Sequence, residues 1–267
     1  MRALWKRYLT DVRERADAGI EEGGDRKVVI VLLTVMVCLI LIRFLGNSGR
    51  TAWLSSLLDL VGLDDLGDDL KHAMTTSENA RINQRVYWAV ARVIGYVVIP
   101  LLVIKWVLRE RISDYGVRIK GTIKYWRIYA LIVAIIIPVA VMASYSEAFQ
   151  AKYPFYKITQ NETLWPWFWA WEVLYALQFL SLEMFFRGFM LHGLAPRFGY
   201  LSIFIMMVPY MMIHFTKPMP EAFGSMVAGF VLGSLALDSR SIWWGAFAHV
   251  SAAITMDLLS LWQRGFF

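Results

Sequence analysis

The sequence predicts an all-α fold, a polytopic bundle of about seven membrane-spanning helices and eight at most. Three observations carry that prediction. The chain of 267 residues is 58% hydrophobic and only 18% charged, with a mean hydropathy of +0.50, whereas soluble domains average about 45–50% apolar and about 25% charged residues. Apolar runs close to the roughly 20 residues that cross a bilayer recur along the chain. The basic residues collect between those runs, where they set orientation in a membrane.

Taken in order, the apolar runs predict spans at 28–45, 86–108, 126–145, 165–191, 200–215, 222–237 and 242–262. The first begins behind a polar stretch, 1–27, too late and without the small-residue cleavage site of a secretory signal. The segment 53–63 is apolar but too short to span. Trp165, Trp167, Trp169 and Trp171 crowd the start of the fourth run, as an interfacial aromatic belt does. Three regions follow: a polar cytoplasmic N-terminal segment 1–27, N-terminal spans with a basic loop 28–145, and core helices 146–267.

Charge predicts orientation. Residues 1–27 hold seven Lys/Arg and residues 109–127 hold six, while the loop between spans three and four holds only Lys152 and Lys157. Lys and Arg concentrate on the cytoplasmic side, so the N-terminus and the 109–127 loop are expected there. Seven spans then leave the C-terminus outside. The net charge of +6 is explained by this pattern, so no nucleic-acid partner is expected. The single cysteine, Cys38, excludes an internal disulfide and any multi-cysteine metal site.

Ionisable groups within spans carry the functional argument, because each costs about 2.5–3.5 kcal/mol at mid-membrane on the insertion scale. Glu183 and Arg187, in "SLEMFFRGFM", stand one helical turn apart and share a face. His214 closes the fifth run in "VPYMMIHFTKP", where Pro209 is expected to kink the helix. His249 lies in the seventh, in "WWGAFAHVSAAITMDLL", with Asp257 two turns on. Taken singly, each has a plain structural reading: a packing ion pair or a packed histidine. Taken together, one carboxylate and two imidazoles from separate helices suit hydrolysis, with a buried base taking a proton from water and an imidazole stabilising an oxyanion. Glu221 and Lys217 flank the "FTKPMPEAF" turn and read as loop charges, with Glu221 able to approach His214. Glu172 reads as interfacial, His192 and His72 as surface. Gly229 and Gly233 form a GxxxG pair, which favours close helix packing.

The motifs "EMFFRG", "YMMIH" and "AFAH", in this order on successive apolar segments, resemble the CPBP family of intramembrane proteases, which includes the CAAX prenyl endopeptidases and the bacteriocin-processing proteins. The resemblance covers about residues 109–262. The family pattern is EExxxR, FxxxH and HxxxN. Here its first glutamate falls at Leu182, its aromatic at Tyr210 and its asparagine at Ala253. The resemblance implies a glutamate-dependent hydrolase: Glu183 as general base in place of the missing first glutamate, Arg187 as its positioner, His214 orienting the water and His249 donating to the oxyanion. Asp257, Glu221 and Tyr210 are the supporting candidates. No cofactor is implied. One glutamate and two dispersed histidines make a thin shell for zinc, although three ligands can suffice.

The expectation is thus an intramembrane endopeptidase acting on a membrane-associated protein or peptide, held in the lipid bilayer of a bacterial inner membrane with its N-terminus cytoplasmic. Two other classes stand beside it. A non-catalytic membrane scaffold or binding protein would keep the ion pair, and the apolar Leu182 and Ala253 favour it. A proton or solute transporter would line a path with the same charges, but no inverted repeat supports one.

Overall fold

The computed structural model describes residues 2–18, 24–47 and 51–267, with side chains from residue 7 onward. Parts of the polar stretch 1–27, residues 1 and 19–23, lie outside the described residues. The described residues are almost entirely helical. α1 (Arg2–Asp17), α2 (Asp25–Phe44), α3 (Ala52–Leu60), α4 (Asp64–Thr75), α5 (Ala80–Val93) and α6 (Ile99–Leu102) form the first half. α7 (Trp126–Ser144), α8 (Glu147–Lys152), α9 (Trp167–Glu183), α10 (His192–Phe198), α11 (Ser202–Met212), α12 (Met219–Ser239) and α13 (Trp243–Gln263) form the second.

Six helical runs are long and apolar enough to cross a membrane: Asp25–Phe44, Ala80–Leu108, Ile123–Ser144, Trp167–Met212, Met219–Ser239 and Trp243–Gln263. The seven predicted spans fall on these six runs because two of them share one. The fourth and fifth predicted spans form a single run of 46 residues, which turns at Gly199. That glycine adopts φ 50° and ψ −130°, a conformation closed to residues with a Cβ. The chain then returns as α11 and packs back against residues 184–191. α11 and the turn after it run between opposite ends of the bundle, from Tyr200, whose N donates to Asp17 of α1, to Lys217, which bonds Tyr153 beyond α8.

The composition of each helix explains its place. α2 is apolar around its whole circumference, as a lipid-embedded helix is, and buries only Val31, Val35, Cys38 and Ile42. The main core gathers around residues 182–194, where Phe185, Phe186, Phe189 and Leu191 are fully buried with Tyr96 and Tyr210. Residues 184–191 wind as a π-helix, a form that recurs at functional sites. α11 lies in a groove that small residues open on α12. A Cβ on Gly229 would come within 3.1 Å of Met207 and 3.2 Å of Tyr210, and one on Gly233 within 3.1 Å of Ile203.

Two non-helical segments close the ends of the bundle. Residues 109–122 dock on the start of α13. Val117 pairs with Ser241 in an antiparallel bridge, Ile242 N donates to Gly116 O at 2.8 Å, and Trp243 Nε1 donates to Val117 O. At the opposite end of α13, residues 153–166 join α8 to α9, held by Ser260 Oγ and Arg264, which both donate to Tyr153 O.

Three sequence expectations change. Trp165, Trp167 and Trp169 are exposed as a belt requires, but Trp171 is fully buried, because it faces α5 and the 153–158 segment. Glu172 is buried rather than interfacial, at 4% exposure. His192 is buried rather than on the surface, with Gly116 lying against its ring.

Candidate active site

Glu183 ends α9, and Arg187 follows in the π-helical turn. Arg187 Nη1 donates to Glu183 Oε1 at 3.0 Å. Both side chains are sealed from solvent, with exposures of 0% and 1%. Two isolated charges at this depth would each cost several kcal/mol, and the pairing offsets that cost.

A third group completes the cluster from another helix. His249, on α13, approaches the same Glu183 Oε1 through Nδ1 at 3.0 Å. A carboxylate can only accept, so Nδ1 carries a proton, and whenever the ring is neutral its Nε2 presents a lone pair. Gly245, one turn earlier on α13, makes this approach feasible: a Cβ there would lie 3.0 Å from Glu183 Oε2. Oε2 itself has no hydrogen-bond partner. His249 is the more open member of the pair, its side chain 16% exposed against 1% for Glu183.

His214 joins the cluster through Tyr210. Its Nδ1 bonds the Tyr210 carbonyl at 2.8 Å, and a carbonyl also only accepts, so His214 Nε2 is again the free acceptor. The Tyr210 ring lies 4.9 Å from the His214 ring and 6.4 Å from the His249 ring. The Arg187 guanidinium sits on the face of Tyr210, 3.9 Å from its centroid, in cation–π geometry. Arg187 Nε and Nη2 have no hydrogen-bond partner. Phe179 covers the other side of His249, with centroids 4.6 Å apart. Glu183, Arg187, Tyr210, His214 and His249 thus form one contiguous group drawn from α9 and its π-helical extension, from α11 and its C-terminal turn, and from α13.

The remaining predicted residues lie elsewhere. Glu221 pairs with Lys217 at 3.0 Å and accepts from Tyr153 Oη at 2.9 Å. Lys217 Nζ also donates to Tyr153 Oη at 2.5 Å. Burial, with Tyr175 and Glu221 close by, holds the Tyr153 phenol well above the ordinary tyrosine range, so it stays a donor to Glu221. Asp257 is fully buried but accepts from Phe155 N at 2.9 Å and from Trp171 Nε1 at 3.4 Å. Among the described residues, no hydrogen bond joins Asp257 to Glu183, His214 or His249. Sequence reasoning missed Gly245, whose only signal was a small residue one turn before His249, and Tyr153, which no motif marked.

No group of three or more His, Cys, Asp or Glu residues among the described residues gathers with the spacing of a metal site. The arrangement instead suits proton transfer: an imidazole base oriented by a buried carboxylate, a second imidazole nearby, and an ion pair fixing the carboxylate.

Residues 163–255 match the family described as Rce1-like, type II CAAX prenyl endopeptidase. That span contains Glu183, Arg187, Tyr210, His214 and His249. No curated protein and no solved structure matches the chain.

Proposed function

We propose, from the match of residues 163–255 to the CAAX prenyl endopeptidase family, that this chain is an intramembrane endopeptidase hydrolysing a peptide bond of a membrane-associated protein or peptide. The observation that carries the reading is the contact of His249 with Glu183 across two helices, in a site where Arg187 already holds the carboxylate.

That geometry favours a specific division of labour. Glu183 Oε1 is engaged by two donors, and Oε2 lies against Gly245. The proton of the attacking water is therefore assigned to His249 Nε2. The water oxygen adds to the carbonyl carbon, and Glu183 stabilises the imidazolium so formed. His249 then returns the proton to the amine nitrogen as the carbon–nitrogen bond breaks. His214 holds the water through its free Nε2. The unpartnered oxygen of Glu183 supports a second assignment, in which Glu183 Oε2 takes the proton directly and His249, in its doubly protonated form, donates through Nε2 to the oxyanion.

The basic segments support a cytoplasmic N-terminus. Tyr8 of α1 and Tyr125 at the end of the basic loop both donate to Asp238 at the end of α12. Both segments thus lie at one end of the bundle, the end that the distribution of Lys and Arg assigns to the cytoplasm.

One observation favours a binding protein instead. Leu182 and Ala253, the positions where the family carries polar groups, are both buried in apolar clusters. A single experiment separates the two readings. The proteome of cells carrying Glu183→Gln is compared with that of the parent. A hydrolase leaves at least one uncleaved membrane-associated precursor in the variant. Identical processing in both strains excludes catalysis by this site.

A further inference from the structure

The segment that fastens onto the start of α13 has an outer side unlike that of a solvated loop. Residues 109–127 hold six Lys/Arg and two acids, Glu110 and Asp114. The main acids at this end of the bundle are already engaged. Glu110 pairs with Lys27 at 2.8 Å, and Asp238 accepts from Arg15 at 2.7 Å, from Tyr8 and from Tyr125. Arg118, Lys120, Lys124 and Arg127 are exposed, and among the described residues none of them makes a salt bridge. Lys124 rests over the Tyr125 ring and Arg127 over the Trp126 ring, 4.9 and 5.7 Å from the centroids.

Apolar side chains are interleaved with these cations. Ile119 is 67% exposed, Ile123 68% and Trp126 48%. Ile123 is also the first residue of the membrane-crossing run Ile123–Ser144, so the segment lies at the level where hydrocarbon gives way to headgroups. Bare apolar groups beside unpaired cations are the two features by which a surface segment holds an anionic membrane: the apolar groups enter the acyl boundary, and the cations meet lipid phosphates. A nucleic acid would engage the cations and leave the isoleucines in water.

The inner side of the segment is fixed. Thr122 and Tyr125 are buried, Trp244 Nε1 donates to Thr122 O at 3.0 Å, and Tyr125 Oη donates to Asp238 at 3.0 Å. Gly121, at φ 83°, closes a tight turn in which Thr122 N donates to Ile119 O and Arg118 Nε to Lys120 O at 3.1 Å. The outer side is therefore preformed, and little ordering cost is left for binding.

We propose that residues 118–127 bind the anionic phospholipid headgroups of the membrane that holds the chain, and that this contact steadies the start of α13. The second half follows from the bonds between them. Ile242 N, Trp243 Nε1 and Trp244 Nε1 all donate to carbonyls of residues 116–122, and Gly245 is the next residue. What holds the segment therefore also holds the first turn of the helix that carries His249. If the chain is a hydrolase, lipid composition then bears on the approach of His249 to Glu183. The lipid site itself does not depend on that reading.

The experiment reads bound lipid and backbone exchange, so it fails separately from the proposed activity. The full chain is placed in nanodiscs of mixed phosphatidylcholine and phosphatidylglycerol, and the lipids it retains on release are identified by native mass spectrometry. The parent is expected to retain phosphatidylglycerol in preference. Lys124→Gln should lower that preference about fivefold, the factor for one basic residue at an anionic surface, and the double variant Arg118→Gln with Lys124→Gln should lower it further. Lys71→Gln removes an exposed charge on α4 and should leave the preference unchanged. A preference equal in the parent and the double variant overturns the proposal. So does an equal loss in Lys71→Gln, which would make the preference a matter of net charge alone. Competition with inorganic phosphate separates the two sources of the anion: retention that survives excess phosphate supports a membrane surface, and displacement by phosphate overturns it. Hydrogen exchange over residues 240–246 should be slower with phosphatidylglycerol than in phosphatidylcholine alone for the parent, and alike in both for the double variant. Exchange in the parent that ignores phosphatidylglycerol overturns the link to α13.

Discussion

His249 Nδ1 and Arg187 Nη1 approach the same oxygen of Glu183, each at 3.0 Å. One carboxylate oxygen therefore binds a fixed charge on its own helix and a titratable ring from another. The fixed partner balances the buried charge, and the ring carries the chemistry away from it. Removing either partner should have different consequences.

Arg187→Leu leaves Glu183 buried without its fixed countercharge. A loss of about 3–5 kcal/mol in stability is expected, as for other broken buried pairs. Adding Glu183→Gln should recover part of that loss, because the uncompensated charge is gone. Reversible unfolding in mixed micelles, run as a double-mutant cycle, measures both effects. Equal stability of the single and double variants would mean that the pair is not coupled.

Gly245→Ala adds a methyl group 3.0 Å from Glu183 Oε2. The carboxylate must give way by a few tenths of an ångström, which disturbs its alignment with His249. We expect kcat on any cleavable reporter peptide to fall by about 100-fold, the scale of a misplaced reacting group. Stability should change by roughly 1–3 kcal/mol at most. A variant with full activity would show that this contact does not position Glu183.

Tyr210 tests what packs around the two histidines. Its ring carries the Arg187 contact and packs against both His214 and His249. Tyr210→Phe keeps that ring and should fold like the parent. Tyr210→Ala removes it and should cost about 3–5 kcal/mol, as large aromatic truncations in cores do. Similar melting behaviour of the two variants would contradict a packing role for the ring.

The glycines of α12 separate packing from sequence pattern. Gly233→Leu drives a side chain into Ile203 and Met206 of α11 and should displace the helix that leads to His214. A destabilisation of roughly 1–3 kcal/mol or more is expected from such overpacking. Gly224 meets nothing within 4 Å, so Gly224→Ala should be neutral or slightly stabilising, since alanine is the better helix former. Thermal melts of the two variants side by side check the contrast.

Much of this was legible in the chain. The apolar runs marked most of the helices, because composition and run length alone decide whether a segment favours lipid. Glu183 and Arg187 were predictable as partners, because four residues along a helix is a fixed distance. The turn at Gly199 falls in the gap between the fourth and fifth apolar runs, so its place was legible, but the packing of α11 against residues 184–191 was not, because periodicity does not say which helix faces meet. Glu172 was misread for a related reason: a tryptophan-rich neighbourhood suggests an interface, but the side of a helix that faces inward depends on its rotation about its own axis.

By itself the sequence determined an all-α membrane bundle, an intrahelical ion pair, and an ordered set of motifs on three apolar segments. The tertiary structure decided which acid met which partner. Glu183 and Glu172 lie on one helix, His249 and Asp257 on another, and spacing along each helix does not say how the two are matched. The register between α9 and α13 does. It follows from the absent side chain of Gly245, from the rings packed in line between Phe155 and His249, and from the Phe155 backbone donor on Asp257. These are contacts between residues distant in sequence, and no local periodicity encodes them.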